Sequence, residues 1–385
     1  MWTRRDLLFS GIVGGVSLGW SAVPEFFRAR LSALEPPQEK PLPPGPADAV
    51  YRRSLVLDTL AAGSGPDFDP KAALAAGLSG AVCDLPIFPR NFPSAVAAFA
   101  EWNTAFGRQG SGFLKVERAA DLARAKQEER FAVILGCQDA AILDSSTYSV
   151  NDYNLGNLRL FHALGLRVLQ LTHNERNALG DSFREKTNTG LSRLGERVVE
   201  EMNTLGMLID LSHCGDQTTL EAIRLSKRPC AFTHAGCRAL YPTLRNKPDS
   251  LIRELADHGG TMGIYNMSLW LTEKPEATID ALLDHIDHVV RVAGIEHVGF
   301  GSDGPVLGVT LSAADELAGM QAYAKKNLGL PGAERIPQHV TVRALDSPRR
   351  LALLADGLAR RGYKEDAIEK FLGGNFARVL REAVG

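Results

Sequence analysis

Two stretches decide the fold: GMLIDLSHCG, residues 206–215, and PCAFTHAG, residues 229–236. Each is a short apolar run rich in β-forming residues, and each finishes on an imidazole, His213 or His234. Neither run alternates apolar with polar, which marks a strand buried on both faces, as in a parallel sheet. In an α/β barrel the carboxyl ends of such strands carry the chemistry, so a histidine at that end is a candidate site residue.

Working outward, the same kind of run recurs at residues 54–60, 80–85, 132–138, 167–173, 261–266 and 297–303, eight in all. Segments with apolar residues three and four apart separate them, such as LSRLGERVVEEMNTL and ATIDALLDHIDHVVRVA. Eight buried strands joined by helical crossovers predict an α/β fold of the (β/α)8 TIM-barrel type over residues 47–385. A doubly wound open sheet is the alternative. The stretches between the second and third strands and after the eighth exceed a simple crossover and predict extra helices or active-site loops. On this reading Gln138, His173, His213, His234 and Asp303 stand at strand ends around one mouth.

Three histidines on consecutive strand ends point to a shared task, because burying each near the others costs desolvation. Imidazole nitrogen suits zinc, and two histidines with an oxygen ligand and water make an open catalytic site. Asp303, in the Ser-Asp-Gly turn, is the acid/base candidate beside such a metal, its other reading being a capping residue. His285 and His288, three apart among alternating acids, are read as a solvated helix face. His162, His258, His297 and His339 are left as structural.

The N-terminus is a targeting segment. Arg4 and Arg5 precede an apolar run to about Gly19 that is short for a membrane span. Residues 1–22 are read as a twin-arginine-type export signal or, if uncleaved, a membrane anchor; the destination is then periplasmic or extracytoplasmic. A nucleophile-elbow match at Gly15–Gly19 lies inside that segment and is set aside. Six prolines from Pro36 to Pro46 stiffen a linker that spans residues 23–46. The net charge of −2 and the absence of a basic run argue against a nucleic-acid partner. Five cysteines cannot all pair within the chain. Cys214 and Cys237 each follow a histidine strand; they are read as buried thiols, a disulfide being the alternative.

The stretches NLGNLRLFHALGLRVLQLTHNERN, DLSH, PCAFTHAG, LRNKPD and HVGFGSDG, in this order, resemble the membrane dipeptidase family of zinc peptidases. The resemblance covers most of the chain after the linker. It implies a (β/α)8 barrel with two zinc ions bridged by a carboxylate and a hydroxide. It places His213 and His234 on ligands of one zinc and His173 on the residue that steadies the carbonyl's developing charge. Arg245 falls on the residue that grips the substrate carboxylate, and Asp303 on the acid/base.

The chain departs from that pattern at the other metal. The family's first strand ends Asp-Gly-His-x-Asp; here Asp58 is kept, but Leu60 and Ala62 occupy the two ligand positions. Gln138 replaces the bridging glutamate and can offer only a weak amide oxygen. The expectation is therefore one zinc ion, not two, held by His213, His234 and weakly Gln138. The predicted activity is hydrolysis of a small peptide or N-acyl amino acid; the alternative is a non-catalytic barrel that binds a peptide-like ligand or a protein. A membrane contact through the N-terminal segment and a homodimer are the further partner expectations.

Overall fold

Nine parallel strands build the sheet: β1 (Leu57–Ala61), β2 (Gly80–Asp84), β3 (Phe113–Lys115), β4 (Phe131–Cys137), β5 (Leu166–Gln170), β6 (Leu208–Asp210), β7 (Ala231–Ala235), β8 (Thr261–Ile264) and β9 (Val298–Phe300). The computed structural model describes residues 45–85, 87, 90–143, 153–308 and 339–385. Every residue of every strand except β3 is buried, as near-continuous apolar runs require when both faces are covered. The hydrogen-bonded order is β1-β2-β4-β5-β6-β7-β8-β9, with β3 added beside β4. Helices follow most strands, and the whole is a (β/α)8 barrel.

The last strand meets the first through side chains. Thr59 Oγ1 lies 3.0 Å from the carbonyl oxygen of Phe300, and Asp58 Oδ1 accepts from the Ser302 amide at 2.8 Å. The Asp303 amide donates to the Leu60 carbonyl at 3.0 Å. Thr59 also reaches the Thr233 carbonyl, 2.5 Å away across the barrel. Backbone approaches this closely only where side chains are missing: a Cβ on Gly263 or Gly301 would lie 2.1 Å from that same carbonyl.

The amino-terminal end of the barrel is closed. The C-terminal helix Asn375–Val384 buries Phe376, Val379, Leu380 and Ala383, one face at helical spacing. They pack against Leu57, Leu114, Val168, Leu208 and Ala231, which lie in the opening turns of their strands. The carboxyl ends of the strands, which form the mouth, lie at the opposite end of the barrel from this helix. Feeding that mouth, helix Arg193–Leu205 is capped by Ser192 Oγ, which accepts from Gly195, and ends on Gly206 at φ +72°. That left-handed residue turns the chain directly into β6.

All eight expected strands are present, but six of them stop earlier than the sequence suggests. β4 ends at Cys137 and not Gln138, β5 at Gln170, β6 at Asp210 and β9 at Phe300. His173, His213 and Asp303 therefore lie three residues past the last paired position, on the loops that rim the mouth. Only His234 lies within its strand. β3 was not foreseen; its three residues are too few to show a period. The long second crossover does carry extra helices, Phe92–Gly107 and Ala120–Gln127. The segment read as an export signal lies outside the described residues, as do nearly all of the linker and residues 309–338 of the stretch after the eighth strand; the rest of that stretch carries the extra helices Arg350–Arg360, Glu365–Glu369 and Asn375–Val384.

Candidate active site

Asp210 organises the site from below. Its carboxylate accepts from the Ser212 amide at 3.0 Å, Ser212 Oγ at 2.5 Å, the Thr233 amide at 3.1 Å and Thr233 Oγ1 at 2.7 Å. Since Thr233 Oγ1 spends its proton on Asp210, it can only accept from His234 Nδ1, 2.9 Å away. His234 Nε2 is left with a bare lone pair. On the neighbouring loop His213 Nδ1 donates to Asn174 Oδ1 at 3.0 Å, which bares His213 Nε2 as well. The two Nε2 atoms stand 2.9 Å apart.

Both rings remain neutral. Burial, followed by the charge of Arg245, holds the pKa of each well below the usual histidine value. The two buried lone pairs face one another, and the cation beside them in this structure is the Arg245 guanidinium, which donates to His213 Nε2. The donor chemistry therefore fits one metal ion held through Nε2 of His213 and His234, each oriented through its other nitrogen as metal-bound histidines generally are. Among the described residues no group of three or more histidine, cysteine or carboxylate side chains is placed to hold an ion.

Arg245 competes for the same nitrogen. Its Nη2 donates to His213 Nε2 at 3.0 Å and to the His234 carbonyl at 2.9 Å, while Nη1 donates to the Ser212 carbonyl at 2.8 Å. The guanidinium lies over the rings of Tyr265 and Phe183, 5.2 and 5.8 Å from their centroids. Its Nε–H and second Nη1–H make no hydrogen bond among the described residues. His173 stacks on His213, with ring centroids 4.4 Å apart. Asp303 Oδ1 lies 3.9 Å from His234 Nε2, at a positive φ of 53° that Asp tolerates better than most residues. Burial pushes its carboxyl up to about 7; Arg245 opposes that shift, and Asp84, Asp58 and Asp210 add to it.

The positions that depart from the family pattern have been turned to packing and closure. Leu60 is buried in the apolar cluster with Leu57, Val82 and Ile134, and Ala62 follows it at the strand end. Gln138 donates through its backbone amide and Nε2 to the two oxygens of Asp84, each at 2.9 Å. That contact fixes the amide so that Oε1 is buried with no hydrogen-bond partner.

The structure brings His173, His213, His234, Arg245 and Asp303 together at the mouth. Asp210, Asn174, Asp84 and Lys247 were missed as supporting residues. Each sits inside or beside a quoted motif, but which backbone groups it reaches is not legible from spacing. His285 and His288 do not form the expected solvated face. The helix Ile279–Ala293 turns His285 inward, where Nδ1 accepts from the Cys237 amide at 2.9 Å and Nε2 donates to the Leu271 carbonyl at 2.8 Å. His288 pairs with Asp249 at 2.7 Å. All five cysteines are buried free thiols, so Cys214 and Cys237 form no disulfide.

A (β/α)8 barrel with two unprotonated imidazole nitrogens converging beside a partly buried carboxyl belongs to the class of metal-dependent hydrolases. The membrane dipeptidase family (peptidase family M19) matches residues 100–318, and the chain belongs to it. It is 32% identical to dipeptidase tcpJ of Claviceps purpurea over 269 residues, 69% of this chain and 54% of that protein. Against dipeptidase 3 of Rattus norvegicus it is 29% identical over 71% of this chain and 50% of the relative. The chain thus spans about half the length of these curated relatives. A crystal structure of an amidohydrolase from Pseudomonas aeruginosa aligns with a TM-score of 0.74 at 26% identity, covering 88% of this chain and 98% of that one.

Proposed function

We propose that this protein is an exported, single-zinc hydrolase of dipeptides or N-acyl amino acids. The observation that carries the reading is the convergence of the unprotonated Nε2 atoms of His213 and His234, 2.9 Å apart, with both Nδ1 positions committed elsewhere. A zinc ion held there would supply Lewis-acid activation of water and of the scissile carbonyl. Asp303 in its carboxylate form accepts a proton from the attacking water and returns it to the leaving nitrogen, so that a C–O bond forms as the C–N bond breaks. Two uncommitted N–H groups of Arg245 are available to the substrate carboxylate, a match suited to a planar guanidinium. His173, held by its stack on His213, faces the developing oxyanion. Burial around Asp303 favours proton storage there at neutral pH.

A second reading, a barrel that binds a peptide-like ligand without cleaving it, is favoured by Leu60 and Ala62 and by the hydrogen bond from Arg245 to His213 Nε2. Elemental mass spectrometry of the purified protein beside a His213→Ala/His234→Ala double variant separates the two. About one zinc per chain, lost in the variant, with turnover in a screen of dipeptides and N-acyl amino acids, is the expected result. No metal in either protein after zinc is supplied would leave the binding barrel. Export through Arg4 and Arg5, a membrane contact and a homodimer belong to the same proposal, and cell fractionation and solution mass measurement test them.

A further inference from the structure

The segment Arg245-Asn246-Lys247 is almost wholly buried, and its polar side chains reach backbone carbonyls in different loops. Asn246 Nδ2 donates to the carbonyls of Tyr241 and Trp270 at 2.8 and 2.9 Å, and its Oδ1 accepts from Tyr265. Lys247 is the member that the hydrolytic reading leaves without a task. Its ammonium donates to the Leu211 carbonyl at 2.8 Å, the Cys214 carbonyl at 2.9 Å and Thr219 Oγ1 at 3.3 Å. It lies 4.9 Å from the centroid of Phe232. All three N–H bonds are thereby used.

The main chain of Lys247 is tied to the other histidine strand. Its amide donates to the Gly236 carbonyl at 2.8 Å, two residues past His234, and its carbonyl accepts from Arg238 at 2.9 Å. One residue thus grips the ground beside His234 with its backbone and both sides of the His213 turn with its side chain. The sheet itself holds these two strands poorly, since β6 and β7 share one paired position, Asp210 with Ala231.

We propose that Lys247 is a positioning residue that sets the spacing of the His213 and His234 imidazoles. The inference rests on the reading of that pair as the metal site, and it makes the bite of the pair depend on an ammonium that touches neither ring. A buried ammonium is costly to desolvate, and hydrophobic residues alone could fill its volume. What they could not do is hold two carbonyls three residues apart at a fixed distance from a third element.

Zinc affinity of the full chain, measured by competition with a chromophoric chelator, tests this in Lys247→Met, which keeps the stem against Phe232 and removes the donors. Lys247→Gln, which keeps a donor for one carbonyl, is the second variant should the first fail to fold. Leu354→Ala, a core truncation in the outer helix Arg350–Arg360, controls for lost stability. The expected result is zinc bound about 10- to 100-fold more weakly in Lys247→Met, the range for lost outer-shell support, and less affected in Lys247→Gln. Leu354→Ala should bind as the parent does. The cobalt-substituted absorption spectrum should change in the lysine variants alone. Parent-like zinc affinity and cobalt spectrum in a folded lysine variant would overturn the proposal. If the parent protein takes up no zinc, the metal reading fails by itself. Lys247 is then judged by imidazole nitrogen NMR: displaced His213 and His234 signals in the lysine variants support it, and unchanged signals overturn it.

Discussion

Between β6 and β7 a single residue pair remains of the ladder, and between β9 and β1 no pairing is formed among the described residues. Both seams are closed mainly by side chains instead, with the Leu211 amide to the Ala231 carbonyl at the first and the Asp303 amide to the Leu60 carbonyl at the second. At the first, Asp210, Ser212 and Thr233 knit the strands together, and the chain of donors ends on His234, whose unprotonated Nε2 is left facing that of His213. At the second, Asp58 accepts from Leu60 and Ser302 and lies 3.8 Å from Arg350, while Leu60 packs among apolar neighbours. The polar groups of that seam are consumed by closure. A seam can therefore serve as structure or as site according to whether its hydrogen-bond accounting leaves a lone pair over.

The sharpest way to break this comparison is at Asp303, on the rim of the β9–β1 seam but facing His234. Asp303→Asn removes the proton carrier and should lower kcat by about 10²- to 10⁴-fold, with KM and zinc content near those of the parent. Steady-state kinetics on a responsive dipeptide, with metal analysis, gives the answer; a parent-like kcat would remove Asp303 from the chemistry.

Leu60→Ala should behave in the opposite way. Truncating a fully buried leucine costs about 2–5 kcal/mol, while His213 and His234 are untouched. Denaturant unfolding should show the loss and chelator competition should show unchanged zinc affinity. Weakened zinc binding would mean that the first strand still takes part in the metal site.

The smallest effect concerns His285, which anchors the helix Ile279–Ala293 to Cys237 and is held neutral by burial, its pKa lowered to about 4. In the unfolded chain the ring takes a proton near 6.5, so the unfolded state binds more protons between those values. Its contribution to stability is complete above about pH 6.5 and is lost as the pH falls toward 4, at most about 3 kcal/mol. His285→Gln should flatten the fall in stability over that window, as read by urea midpoints at pH 7, 5.5 and 4.5. An unchanged pH slope would show that His285 contributes little to acid sensitivity.

Much of this was legible in the chain itself. The strand count followed from apolar runs too continuous to face water, and the position of the mouth followed from where histidine and aspartate broke those runs. The departure from the family's ligand pattern was readable at Leu60 and Ala62, because neither side chain has a donor atom. The ladder ends were misplaced by up to three residues, since His173, His213 and Asp303 continue the pattern of their strands while their backbones have already left the ladder. His285 was misread for a related reason. Alternating acids suggested a wet face, but the helix is oriented by Leu282, Ile286 and Val289, which carry His285 inward with them.

The sequence by itself determined the barrel, the family and the residue types at the mouth, because burial periodicity and metal-ligand chemistry are properties of short segments. Only the tertiary structure decided which imidazole nitrogens are bare, that Arg245 shares one of them, and that Lys247 spans the two histidine strands. Those facts depend on which donor meets which acceptor across distances of 20 to 40 residues, and a hydrogen bond is made or missed within a few tenths of an ångström.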